Sequence, residues 1–154
     1  MKIVNRAETI SLVSEREKNC HILLVEDDPI VCKILGPMFN RSKYSVDFAG
    51  DGLKAVKMWE AGDYDLVLME IDLPFFDGFE ATGAIREKER GCGCHTPIVA
   101  MTVRTLYRER CLAVGMDDFI PKPIDFKATL QLIGKILMKE PIVGLGEHNP
   151  TAEA

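Results

Sequence analysis

Leu66-Val67-Leu68-Met69-Glu70-Ile71-Asp72-Leu73-Pro74-Phe75-Phe76-Asp77-Gly78 opens as an unbroken apolar run and closes on two acids, a proline and an Asp-Gly turn. Apolar side chains on both faces of a strand belong in a parallel sheet covered by helices on each side, because neither face meets water. The run therefore predicts a buried strand with Glu70 as its last residue. In open α/β sheets ligands bind in the crevice outside the carboxyl ends of the strands, so Glu70 stands at a functional address. The plainer alternative, a helix cap or a solvated turn acid, is weighed by what the rest of the chain places beside it.

Toward the N-terminus, Ser45 to Ala49 alternates and predicts a less buried strand. The Gly50-Asp51-Gly52 turn and a helix carrying Leu53, Val56 and Trp59 follow it. His21 to Val25 predicts the first buried strand and runs into Glu26-Asp27-Asp28-Pro29, where Asp28 is a natural N-cap and Pro29 suits the first helical position. The helix beyond sets Ile30, Ile34, Met38 and Val31, Leu35, Phe39 at i, i+4 spacing, and Gly36-Pro37 is expected to interrupt and kink it. Toward the C-terminus, Phe79 to Arg90 predicts a helix ending in the loop Gly91-Cys92-Gly93-Cys94-His95-Thr96-Pro97. Ile98 to Met101 predicts a strand ending on Thr102, and a helix from about Leu106 to Val114 stops at Gly115. Asp117 to Ile120 predicts a short strand ending at Pro121-Lys122-Pro123. A last amphipathic helix carries Phe126, Leu130, Ile133, Ile136 and Leu137.

Strand and helix thus alternate five times with short connections. The simplest topology is an α/β doubly wound, five-stranded parallel sheet with helices on both faces. Residues 1–19 are expected to be an N-terminal extension able to form a short helix, 20–139 the folded domain, and 140–154 a Gly- and Pro-rich tail, disordered or loosely attached.

At 154 residues, 47% hydrophobic and 28% charged, the chain suits one globular domain with a sizeable core. Its net charge of -5 provides no basic footprint, which disfavours direct nucleic-acid or anionic-membrane binding. No apolar run reaches the roughly 20 residues that span a bilayer, and the N-terminus lacks the apolar core of a signal peptide, so the expected location is cytoplasmic. Cys20, Cys32, Cys92, Cys94 and Cys111 are scattered and odd in number, which predicts reduced thiols rather than a disulfide framework. Cys92-Gly93-Cys94-His95 invites a zinc or redox reading, but it lacks a second ligand pair for structural zinc, and the reading favoured is a glycine-rich connecting loop. Cys32, Cys111 and Trp59 read as packing residues.

The strand ends carry Glu26-Asp27, Glu70, Thr102 and Lys122, all on one edge of the predicted sheet. Clustered carboxylates with few His or Cys neighbours suit Mg²⁺, a hard cation that keeps several waters and bridges to phosphate oxygens. A hydroxyl and an ammonium beside it suit a phosphoryl group.

Over approximately His21 to Met138 these residues resemble the receiver domain of two-component response regulators, a flavodoxin-like fold. The resemblance implies that Glu26 and Asp27 are the metal-holding acidic pair, with Asp27 the direct ligand, and that the main-chain carbonyl of Asp72 completes the metal site. It implies that Thr102 and Lys122 contact the phosphoryl group, and that Thr102 and Phe119 form the switch pair. Implied partners are a sensor histidine kinase or histidine phosphotransfer protein upstream and an effector protein, or a second copy of the chain as a homodimer, downstream. With the chain ending soon after this stretch, output is expected to pass through such a partner.

The departure from the family pattern is central: its phosphoacceptor is an Asp with a Pro four residues on, and here Glu70 precedes Pro74. The extra methylene moves the carboxylate by about 1.5 Å toward the metal and the lysine. A misplacement of about 1 Å costs on the order of 100-fold in rate, so phosphorylation is expected to fail. Glu70 fits a natural pseudo-receiver or an engineered Asp-to-Glu change mimicking the charged acyl phosphate. Val103 is expected to narrow the pocket mouth, and Asp72 and Arg104 to pair across it. Receiver domains assist their own phosphorylation but the chain is not expected to be an enzyme. The rivals are a phosphohydrolase with an Asp-x-Asp nucleophile, which Glu70-Ile71-Asp72 matches only in spacing, and a purely structural interaction domain.

Overall fold

The computed structural model describes residues 20–138, so the extension at 1–19 and the tail at 140–154 lie outside the described residues. Strands β1 (His21–Val25), β2 (Ser45–Ala49), β3 (Leu66–Glu70), β4 (Ile98–Thr102) and β5 (Asp118–Pro121) form one parallel sheet in the order β2-β1-β3-β4-β5. Helices α1 (Pro29–Arg41), α2 (Gly52–Ala61), α3 (Gly78–Glu89) and α4 (Arg108–Val114) connect them, and α5 (Phe126–Met138) follows β5.

The chain divides into two compact units, one up to Pro123 and one from Ile124. In the second, Asp125 Oδ1 accepts from Ala128 N at 3.0 Å and caps α5. In the first, the step from β1 to β2 runs one way along the sheet, while the steps into β3, β4 and β5 run the other. Right-handed crossovers then place α1 on one face and α2, α3 and α4 on the other. This is the doubly wound parallel sheet expected. All residues of β3 and β4 are buried, as a centre covered on both sides requires. The edge strand β2 is only partly covered.

Three local expectations are corrected. Pro37 lies inside α1, which continues to Arg41 without the interruption expected at Gly36-Pro37. Gly36 packs closely on β2, where a Cβ in its place would come within 2.7 Å of the Phe48 ring. The turn Thr105–Tyr107 is a 3-10 helix, and α4 begins only at Arg108, ending at Gly115 with φ 108. Asp117 is not part of β5; its N–H donates to Ile98 O, and its Oδ2 accepts from Ile98 N, both at 2.8 Å.

Candidate functional site

Register decides which side chains meet. Glu70 pairs with Met101 and Thr102 with Pro121, so the ends of β3, β4 and β5 step along one edge, with Glu26 immediately past β1. Lys122 N donates to Thr102 O at 3.0 Å, carrying the ladder one residue past β5 and aiming the lysine into the edge. The start of α3 closes in from beneath. A Cβ on Gly78 would lie 2.4 Å from Glu70 O, a contact only glycine accommodates.

Lys122 occupies the centre. Its Nζ donates to Glu26 Oε2 at 2.5 Å and lies 2.5 Å from Glu70 Oε2. The second contact has the distance of a hydrogen bond but not its angles, so Oε2 of Glu70 meets the ammonium as an ion contact without a formed hydrogen bond. The remaining oxygens are held by main chain: Glu26 Oε1 accepts from Asp28 N at 3.2 Å, and Glu70 Oε1 from Asp72 N at 3.1 Å. The side chains of Glu26 and Glu70 are only 2% and 7% exposed, so both charges are taken from water.

Two acids share one ammonium, and the ionisation reflects it. Burial pulls Lys122 down, but the hydrogen bond to Glu26, the close contact with Glu70 and the negative charge of both acids outweigh burial and hold the ammonium above its usual range. Burial pushes the Glu26 carboxyl up against the lowering influence of Lys122 and the Asp28 N–H, and the Glu70 charge adds to the rise.

The other sequence-selected residues lie around this centre. Asp27 is exposed, and its carboxylate makes no hydrogen bond or ion pair found among the described residues. Thr102 is fully buried and its Oγ1 accepts from Arg104 N at 3.1 Å. Asp72 Oδ2 meets Arg104 Nε at 3.3 Å, the pairing expected across the mouth. Val103 stands 66% exposed at the rim. Phe119 is half-buried against the core cluster of the sheet.

Hard oxygen donors meet here, and a cation of the chain's own, the Lys122 ammonium, stands among them. The donor chemistry of Glu26, Asp27 and the Asp72 carbonyl fits Mg²⁺. No group of three metal-ligating side chains is assembled among the described residues, and Glu26 is engaged by Lys122.

Sequence reasoning missed features at the opposite edge of the sheet. Cys92 and Cys94, expected as thiols, are joined in a disulfide with Cα atoms 5.3 Å apart, an ordinary separation for such a bond. Glu89, at the end of α3, is buried and paired with Arg86 at 2.7 Å. Charged positions on a helix read as solvated, and nothing short of the fold reveals the exception. Trp59 packs on the core as expected, but its Nε1 also donates to Thr96 Oγ1 at 2.9 Å. Cys111 is fully buried, whereas Cys32 is only half-buried.

The sequence model described as the response regulator receiver domain matches residues 22–134. The chain is 40% identical over 144 residues to hybrid signal transduction histidine kinase B of Dictyostelium discoideum; the match covers 86% of the chain and only 7% of that kinase. Among solved structures, the receiver domain of a sensor histidine kinase from Pseudomonas aeruginosa, with a magnesium ion coordinated in its active-site cleft, is 34% identical. It superposes with a TM-score of 0.70, covering 78% of this chain and 98% of that one. The receiver domain of a Saccharomyces cerevisiae response regulator, co-crystallised with a histidine phosphotransfer signalling protein, is 28% identical with a TM-score of 0.74, covering 82% of this chain and 94% of that one. No helix among the described residues is long and apolar enough to cross a membrane.

Proposed function

The chain belongs to the response regulator receiver domain family, and on that premise we propose that it is a two-component phosphorelay module with Glu70 in place of the phosphoacceptor aspartate. Its pocket is neutralised from within, as a phosphomimetic or pseudo-receiver, rather than by an arriving phosphoryl group. The observation that carries this reading is Lys122 Nζ at 2.5 Å from carboxylate oxygens of both Glu26 and Glu70. The added methylene of Glu70 provides the reach. Mimicry is partial, because a carboxylate has one negative charge and a phosphoryl group about 1.5 to 2.

Mg²⁺ would be held by Asp27, Glu26 and the Asp72 carbonyl, with Glu26 also the partner of Lys122. When bound, the cation neutralises negative charge at this edge. Thr102 and Phe119 serve as the switch pair, and their state sets the partner-binding surface around α4 and β5. Phe119 has no hydroxyl to keep in water, so its burial carries no polar desolvation cost and the inward state is favoured.

The module is not an enzyme, acts in the cytoplasm, and takes its signal from a histidine kinase or histidine phosphotransfer protein. It passes the signal to an effector protein or a second copy of itself. The Asp-x-Asp hydrolase reading is not favoured, since Asp72 pairs with Arg104 and Glu70 with Lys122.

Amide shifts of residues 104 to 121 test the switch by comparing this chain, Glu70→Asp alone, and Glu70→Asp with Mg²⁺ and BeF₃⁻. This chain is expected to resemble the last of the three. Coincidence with unliganded Glu70→Asp would make Glu70 a silencing residue and end the mimic reading.

A further inference from the structure

The loop between α3 and β4 lies at the opposite edge of the sheet from the acidic pocket, on a polar base the pocket does not use. Glu89 O accepts from Cys92 N at 3.1 Å and Gly93 N at 2.9 Å, and Glu89 Oε1 accepts from Thr96 N at 2.7 Å. Arg86 secures the same acid at 2.7 Å and also donates to Thr96 O at 2.9 Å, to Gly115 O at 2.8 Å and to Asp117 Oδ2 at 2.9 Å. Cys92 Sγ also lies 3.5 Å from Glu89 O, but the other hydrogen bonds that position the loop do not involve sulfur.

On this base stand Cys92 and Cys94, both exposed and joined to each other. Gly93 between them has φ +65, a left-handed conformation that favours glycine and brings the two cysteines together. Cys20, Cys32 and Cys111 remain thiols, Cys111 fully buried. A disulfide closing so short a loop removes little entropy from the unfolded chain, so a structural role is a poor account of it. Exposure to an attacking thiolate, by contrast, is what exchange requires.

We propose that Cys92-Gly93-Cys94 is a reversible thiol–disulfide exchange site, whose co-reactant is a low-molecular-weight disulfide such as glutathione disulfide. In the oxidising direction one cysteine thiolate attacks the external disulfide RS–SR, forming a mixed disulfide and expelling RS⁻. The second cysteine thiolate then attacks the protein sulfur of that mixed disulfide, forming the Cys92–Cys94 bond and expelling the second RS⁻. The two cysteine protons end on the two RSH released, and two electrons pass from the dithiol to the external disulfide. Because the base holds the loop in both states, the sulfurs stay within reach after reduction.

The test equilibrates the full chain in glutathione buffers of rising oxidised fraction, quenches exchange with acid, unfolds the chain so that buried thiols are also reached, alkylates and maps the peptides by mass. Cys92 and Cys94 are expected to lose alkylation together, giving a peptide lighter by two hydrogens and free of adduct, while Cys20, Cys32 and Cys111 are still alkylated. Dithiothreitol is expected to reverse the change in the folded chain. Cys92→Ser and Cys94→Ser, both in an exposed loop, are each expected to leave a glutathione adduct on the remaining cysteine. The proposal is overturned if the pair stays alkylated in fully oxidised buffer, if it oxidises only together with the other three, or if the bond resists dithiothreitol until the chain unfolds.

Discussion

Lys122 holds one positive charge against two buried negative ones, and this imbalance governs how the pocket responds to change. Removing the ammonium would leave Glu26 and Glu70 facing each other without a counter-charge, and breaking a buried pair in this way costs about 3–5 kcal/mol. Lys122→Met is accordingly expected to lower the stability measured by chemical denaturation by about that amount, and Glu70→Gln in the same background to return part of it. The pH dependence has a definite sign. A lysine held above its unfolded value of 10.5 contributes stability in full below that pH and loses it as pH rises through the higher folded value. The unsubstituted chain should thus lose stability more steeply than Lys122→Met above pH 10.5. Equal slopes in the two proteins would mean that the ion contacts contribute nothing in solution.

At the scale of the elements, strand ends deliver the acids and helix starts close around them. Helix α3 begins with a reciprocal cap, Asp77 Oδ1 accepting from Glu80 N at 2.8 Å and Glu80 Oε1 from Asp77 N at 3.4 Å, which fixes where its first turn meets β3. At that meeting a Cβ on Gly78 would strike Glu70 O at 2.4 Å and Ile71 Cα at 2.8 Å, both backbone atoms unable to swing aside. Gly78→Ala is therefore expected to destabilise the chain by about 1–3 kcal/mol in thermal or chemical unfolding. Gly83, in the same helix, has nothing within 4 Å of its would-be Cβ. Gly83→Ala should stabilise by about 0.5–1 kcal/mol, so the pair separates a close approach from mere helix propensity. Gly78 was visible in the sequence as half of an Asp-Gly turn, but the approach of α3 to the strand end was not, because it depends on the angle at which a helix leaves a sheet.

Across the whole molecule, the features repeated along the chain were the legible ones. Buried runs at Leu66 and Ile98 and alternation at Ser45 locate strands, and the rule for open α/β sheets gathers Glu26, Glu70, Thr102 and Lys122 at one edge before any coordinates. The contact of Glu70 with Lys122 followed from one extra methylene. That Lys122 also turns to Glu26, while Asp27 stays in solvent, depends on which side of the chain each residue leaves after β1, and adjacent acids look alike in sequence. Pairing of Cys92 with Cys94 likewise needed the left-handed turn at Gly93. What joins these scales is the claim that Glu70 completes the pocket's charge and thereby replaces phosphorylation. The most direct measurement is intact and peptide mass after treatment with acetyl phosphate and Mg²⁺, comparing this chain with Glu70→Asp. The account predicts no added phosphoryl group on this chain and a single one on the variant, mapped to position 70. A phosphoryl group on the unsubstituted chain at Glu70 or Asp72, or a variant that remains unmodified, would contradict it.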